Sequence, residues 1–196
     1  MTEKEKAEKG LLYNNNYDPQ LINERTHCKK LCRKYNFLEP DDVKTREEVI
    51  HELIGSIGDK FYIEQPFYCD YGYNIEIGYN FYSNHNLIIL DDGKVTIGNN
   101  VFMAPDCGIY TAGHPLDVEQ RNEGLEYAYP ITIGDNVWIG GGVKIMPGVS
   151  IGSNTVIGSG SIVTKNIPAG VIAAGNPCRV IRAITDEDKN KYHKMI

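Results

Sequence analysis

His114 stands directly before a proline inside TAGHPLDVEQRNEGLEYAYP (111–130), a stretch that carries no regular pattern. Imidazole titrates near neutrality, so a loop histidine can take a proton from a hydroxyl during an attack. It can equally be a loop residue with no chemical role. Asp70, Asp91 and Asp92 supply carboxylates that accept hydrogen bonds from hydroxyl groups. Asp91 and Asp92 precede Gly93, and turn chemistry is the simpler account of Asp91. Asn84 is by itself an asparagine of the kind that tolerates a tight corner. Lys165, Arg179 and Arg182 are the local cations that an anionic ligand would need on a chain of net charge −6. A solvated corner for Lys165 and a surface ion pair for Arg179 are the plainer alternatives. Should the chain fold back along the last coils, these three charges would converge.

The elements that must position these groups are legible from one spacing. Ile133, Ile139, Ile145, Ile151, Ile157 and Val163 are each six residues apart. Val137, Val143, Val149, Thr155 and Ser161 stand two before most of them, and Gly134, Gly140, Gly152 and Gly158 follow. Six is no whole number of helical turns but returns a strand to the same face. Short strands and corners in this repeat predict a solenoid whose aliphatics stack inward, with the glycines where a corner needs an unusual backbone angle and no bulk. Upstream the phase runs through Tyr71, Ile77, Ser83 and Ile89, then Ile97, Met103 and Ile109. The step of eight after Ile89 predicts that two residues of LDDG (90–93) bulge from a corner. The gap before Ile133 predicts a long loop, 111–130, and long loops on rigid solenoids carry function. Trp138, just before Ile139, should face outward, against a subunit or a ligand.

Residues 1–60 read as three short helices beside the solenoid: one in Glu3–Tyr13, one from Pro19 to Tyr35, and one opened by a Thr45/Glu48 capping box. Leu21, Cys28, Leu31, Cys32 and Tyr35 form one stripe, and Val49, Ile50, Leu53, Ile54 and Ile57 another. The solenoid spans 61–184, and 185–196 is a charged tail with His193 on its surface. His27, His51 and His85 read as structural.

Five cysteines without a CxxC pair suggest reduced thiols used in packing. With no apolar signal-peptide core near the N-terminus and no eighteen-residue apolar run, a cytoplasmic protein is expected. The net charge argues against nucleic acid or an anionic membrane as a partner.

CDYGYNIEIG (69–78), NFYSNHNLIILDD (80–92), GHP (113–115), PITIGDNVWIGGGVKIMPGV (130–149), GSIVTKNIP (160–168) and AGNPCRVIR (174–182) together resemble the hexapeptide-repeat acetyltransferases, the maltose and galactoside O-acetyltransferase family in particular. The resemblance covers nearly the whole chain. It implies a mainly β protein, a left-handed parallel β-helix with an N-terminal α-helical region and a protruding loop. It further implies a homotrimer with sites between subunits, and acetyl transfer from acetyl-CoA to a hydroxyl of a small sugar of the maltose, glucoside or galactoside type. By this resemblance His114 is the general base and Asn84 contacts acceptor and oxyanion. Asp70 and Asp92 bind acceptor, with Asn16 or Asp18 adding an N-terminal contact. Asp70 matches the maltose type, where the galactoside type has serine. Gly141, Ser159, Thr164, Lys165, Arg179 and Arg182 match coenzyme A contacts. A xenobiotic (antibiotic) acetyltransferase and a non-catalytic trimeric scaffold are the competing functions. A γ-class carbonic anhydrase needs three zinc histidines, and besides the tail's His193 only His85 and His114 fall in the solenoid, so no metal is expected.

Overall fold

The computed structural model describes residues 1–192. Each turn of the chain lays one short strand on each of three faces. The first face holds Ser56–Ile57, Ile75–Ile77, Val95–Ile97, Ile131–Ile133 and Ser150–Ile151. The second holds Phe61–Ile63, Phe81–Ser83, Phe102–Met103, Trp138–Ile139, Val156–Ile157 and Val171–Ala174, and the third Phe67–Cys69, Leu87–Leu90, Gly108–Tyr110, Lys144–Ile145 and Ile162–Val163. Neighbours within each face run parallel, giving a parallel β-helix of about six turns. Arg179–Ala183 then folds back antiparallel on Val171–Ala174.

Register follows the six-residue spacing. Ile133 lies opposite Ile97 and Ile151, and Ile145 opposite Ile109 and Val163. All of these are buried, as are the companions Val137, Val143, Val149, Thr155 and Ser161. Each such isoleucine removed from water stabilises the fold by roughly 1.5–3 kcal/mol.

Two features of the coil differ from the periodicity. In the early turns the inward residue is Cys69, opposite Ile89, and not Tyr71. The step of eight therefore occurs twice, after Cys69 and after Ile89, and the first parallel strand begins at Ser56, ahead of residue 61. Tyr71 instead packs with Ala7, Tyr13, Leu21 and Ala128 in a second apolar cluster outside the coil. The residues of the second wide corner do not bulge into water either. Asp91 and Asp92 are buried, Asp92 under Tyr13 and Asn15 of the N-terminal segment and Asp91 against the backbone of Asp70 and Tyr71.

Of the two demands expected at the glycines after the aliphatics, an unusual backbone angle and no bulk, only the second holds. Positive φ falls on Asn80, Asn100, Asn136 and Asn154 at one corner, where their side-chain amides form a ladder with steps of 2.9, 3.0 and 2.9 Å. At Gly140 φ is ordinary, and what the position requires is space: a Cβ would lie 2.6 Å from the Ser159 nitrogen of the next coil. Close stacking of coils, rather than backbone angle, selects glycine there.

The helices are α1 (Glu3–Glu8), α2 (Pro19–Asn36) and α3 (Val43–Leu53). Asp18 caps α2, accepting from the Leu21 nitrogen at 2.9 Å. Helix α3 starts before Thr45, and Asp42 caps it by accepting from the Thr45 nitrogen. The Thr45/Glu48 box is therefore not its start. Ile57 lies in the first strand, so the apolar face of α3 ends at Leu53.

The 111–130 segment is ordered at its base. Ala112–Gly113 pairs antiparallel with Leu125–Ala128, which pairs with Tyr13–Asn14, and a short helix α4 (Val118–Asn122) caps the excursion. His193 lies outside the described residues.

Candidate active site

The triangular section has three edges, and the chemistry-bearing residues divide between two of them. The edge between the third and first faces carries Asp70, Asp91, Asp92, His114, Thr164 and Lys165. The edge between the second and third carries Asn84, Gly141 and Ser159. A single chain therefore does not bring Asn84 to His114.

His114 follows the strand pair that anchors the loop, and its Nδ1 lies 3.0 Å from the Leu125 carbonyl oxygen. A carbonyl only accepts, so Nδ1 carries the proton and Nε2 is left as a free acceptor. The ring is half exposed. Nε2 stands 3.9 Å from Oε1 of Glu126.

Glu126 is itself anchored from the N-terminus. Its Oε2 accepts from Asn15 at 3.0 Å and faces the Tyr13 hydroxyl at 3.4 Å, while Asn16 donates to Oε1 at 3.3 Å. Tyr13 and Asn15 also donate to Oδ1 of Asp92, at 3.0 and 2.8 Å. Arg25 donates to the Asn15 carbonyl and the Tyr71 hydroxyl, both at 2.8 Å. These contacts run unbroken from His114 through Glu126 and Asn15 to Asp92. Burial, then the charges of Asp70 and Glu126, push Asp92 up to about 7. Burial and Asp91 push Asp70 up to about 6. Asp91 accepts from the backbone nitrogens of Asp70 and Tyr71, fixing the neighbouring corner.

Glu126, Tyr13, Asn15 and Arg25 were not evident from the sequence. The available signal was alternation in LEYA, which puts Glu126 and Ala128 inward, but only once that stretch is known to be a strand. Of the two N-terminal candidates, Asn16 reaches Glu126, while the Asp18 carboxylate is committed to the α2 cap. Asp70 lines a cleft of ≈ 320 Å³ with Lys29, Arg33, Tyr68 and Leu90. Asn84 accepts from the His85 nitrogen at 2.8 Å, and the His85 ring lies 2.7 Å from the Gln65 carbonyl oxygen.

Ser159, Thr164, Lys165, Arg179 and Arg182 are all exposed. The three cations do not converge as the fold-back suggests. Arg179 and Arg182 return along the second face, while Lys165 sits at the far edge of the third. Arg182 is paired with Asp188 at 2.6 Å.

Residues 6–58 match the maltose acetyltransferase hexapeptide capping motif, and residues 130–165 match six bacterial transferase hexapeptide repeats. The chain is 50% identical to the galactoside O-acetyltransferase of Escherichia coli strain K12, over 89% of this chain and 86% of that protein. The chain belongs to the maltose and galactoside O-acetyltransferase family. Two solved structures agree with this acetyltransferase over almost its whole length. A maltose O-acetyltransferase from Clostridium difficile 630 is 53% identical with a TM-score of 0.93, covering 95% of this chain and 99% of that one. A galactoside acetyltransferase in complex with coenzyme A is 47% identical with a TM-score of 0.94, covering 99% and 96%. Among the described residues of the acetyltransferase, no helix is long and apolar enough to cross a membrane.

Proposed function

We propose that this acetyltransferase moves an acetyl group from acetyl-CoA to a hydroxyl of a small sugar, in a homotrimer whose sites lie between subunits and with His114 as general base. The observation that carries this is the orientation of His114. The Leu125 carbonyl fixes the ring so that Nε2 is free to accept a proton, beside a carboxylate that stabilises the charged ring.

His114 takes the hydroxyl proton at Nε2 as the oxygen attacks the thioester carbonyl, and returns it to the departing sulfur. Glu126 stabilises the imidazolium between those events. Asn84 stabilises the oxyanion. Asp70 and Asp92 accept from acceptor hydroxyls, with Asn16, beside Glu126 at the same edge, adding a contact. The exposed Lys165 and Thr164 on one edge, and Ser159, Arg179 and the Gly141 backbone near the other, suit a long ligand with phosphates. Arg182 would exchange Asp188 for phosphate.

The subunit arrangement follows from the two edges. Both border the third face, so a ring that joins one edge to the other in the next subunit turns that face inward. Its outward row runs Tyr68, Ile88, Gly108, Lys144, Ile162, with one charge in five positions. Such a row suits burial better than water.

The test is a panel of sugars and acetylatable antibiotics assayed with acetyl-CoA by release of free thiol, with the product's acetylated position read by NMR. A sugar turned over in preference to every antibiotic supports the reading; thiol release with antibiotics alone, or with none of the panel, overturns it.

A further inference from the structure

Three of the five thiols meet where α2 packs against the inward side of the strand Phe67–Cys69, in a cluster that no step of acyl transfer uses. Cys28 and Cys32 lie one helical turn apart on α2 and both face Cys69, the last residue of the strand Phe67–Cys69. The Cys69 sulfur is 3.5 Å from that of Cys28 and 3.8 Å from that of Cys32, and all three sulfurs lie within 4.8 Å of one another. All three residues are buried and free of disulfides.

Packing alone asks only that a cysteine fill volume; it does not ask that three sulfurs converge. Two of the three sulfur separations, 3.5 and 3.8 Å, lie close to what a single ion imposes. Metal–sulfur bonds of about 2.3 Å set ligand sulfurs about 3.8 Å apart in a tetrahedral arrangement and about 4 Å apart in a trigonal one. A negative charge is also at hand. Asp91 holds the nitrogens of Asp70 and Tyr71, the residues that follow Cys69, and its buried Oδ2 has no partner.

We infer that Cys28, Cys32 and Cys69 form a three-thiolate site for one soft cation of the Cu(I) or Cd(II) kind. Soft sulfur ligands select such ions over hard ones. Among the described residues no fourth His, Cys, Asp or Glu ligand atom joins the group, which disfavours zinc with its preference for four. Binding exchanges thiol protons, released to solvent, for metal–sulfur bonds, with no change of oxidation state. Cys32 and Cys69 line the ≈ 320 Å³ cleft beside α2, which gives the ion a path inward.

The probe is Cd(II), titrated into the whole purified protein under a thiol-free reductant and followed by the thiolate-to-cadmium charge-transfer band. One ion per chain is expected. Cys28→Ser or Cys32→Ser should weaken binding at least roughly tenfold, a loss that even outer-shell changes reach. Cys107→Ser and Cys178→Ser should leave it unchanged. X-ray absorption on cadmium-loaded wild type needs no substitution and should count three sulfur neighbours. Fewer than three, or affinity unaltered in both Cys28→Ser and Cys32→Ser, overturns the assignment.

Discussion

At the scale of residues, His114 depends on a single backbone oxygen for its tautomer. Replacing it with alanine removes a group on a loop whose base is held by strands, so the fold and coenzyme A binding should survive. Acetyl transfer should fall by roughly 10²–10⁴ in kcat, the usual range for a lost general base. Steady-state kinetics with calorimetric titration of coenzyme A checks this, and near-normal kcat would remove His114 from the role. The carboxylates beneath the loop make a second prediction. Asp70, Asp91 and Asp92 are pushed up to about 6, 6 and 7, with burial the first cause in each. The folded chain thus keeps protons that the unfolded chain has already lost. Their stabilisation is complete below the ordinary carboxylate range and declines as pH rises from about 4 to about 7. Glu3 and Glu24 are held down and act below that window. Melting temperature should therefore be higher at pH 5 than at pH 8, and Asp92→Asn should flatten the slope while still accepting from Tyr13 and Asn15. A slope that is flat in wild type, or unchanged in Asp92→Asn, contradicts these shifts. His114 was singled out by the family resemblance, because a loop histidine before proline is by itself as well explained without a chemical role. Glu126 was not, because a glutamate in a charged loop becomes informative only when its strand partner, Tyr13–Asn14, is known from more than a hundred residues away.

At the scale of elements, the six-residue period fixed the interior of the later coils but misassigned Tyr71. The wide corner after Cys69 repeats the one after Ile89, and counting in sixes back from Ile77 lands on an aromatic that packs outside the coil. The helix cap failed for a local reason. Asp42 and Thr45 are both capping residues, and only backbone geometry shows which carboxyl or hydroxyl meets the free nitrogen. Of the two causes expected for these glycines, only the need for no bulk holds, and this difference is testable. If Gly140 were needed for its backbone angle, asparagine would substitute tolerably there, as it does along the Asn80–Asn154 column. Because it is needed for space against Ser159, Gly140→Ala and Gly140→Asn should both destabilise, by roughly 1–3 kcal/mol as for overpacked interiors. Denaturant unfolding of the two variants checks this, and an Asn variant as stable as wild type restores the backbone-angle account.

At the scale of the whole molecule, periodicity foretold the solenoid, but assembly enters through what one chain leaves incomplete. Asn84 and His114 occupy different edges, and Arg179 is separated from Lys165 by the width of the third face. No linear pattern distinguishes edges, since the hexad repeats identically around all three; only the register assigns each corner to its column. If sites form between subunits, each draws His114 from one chain and Asn84 from its neighbour. Two inactive variants should then complement one another. In trimers that mix His114→Ala and Asn84→Ala chains, some junctions pair the intact His114 of one variant with the intact Asn84 of the other. With equal amounts mixing at random in a closed ring, about a quarter of the sites are whole. The mixed preparation, made by co-expression or by joint refolding, should recover about that fraction of wild-type activity from parents that have almost none. The same mixture made without subunit exchange should stay inactive, which separates complementation from residual activity. Recovery would require the two edges to meet across a subunit boundary. Its absence in trimers shown by mass spectrometry to be mixed would place both residues of each site in one chain, against the geometry of the three faces.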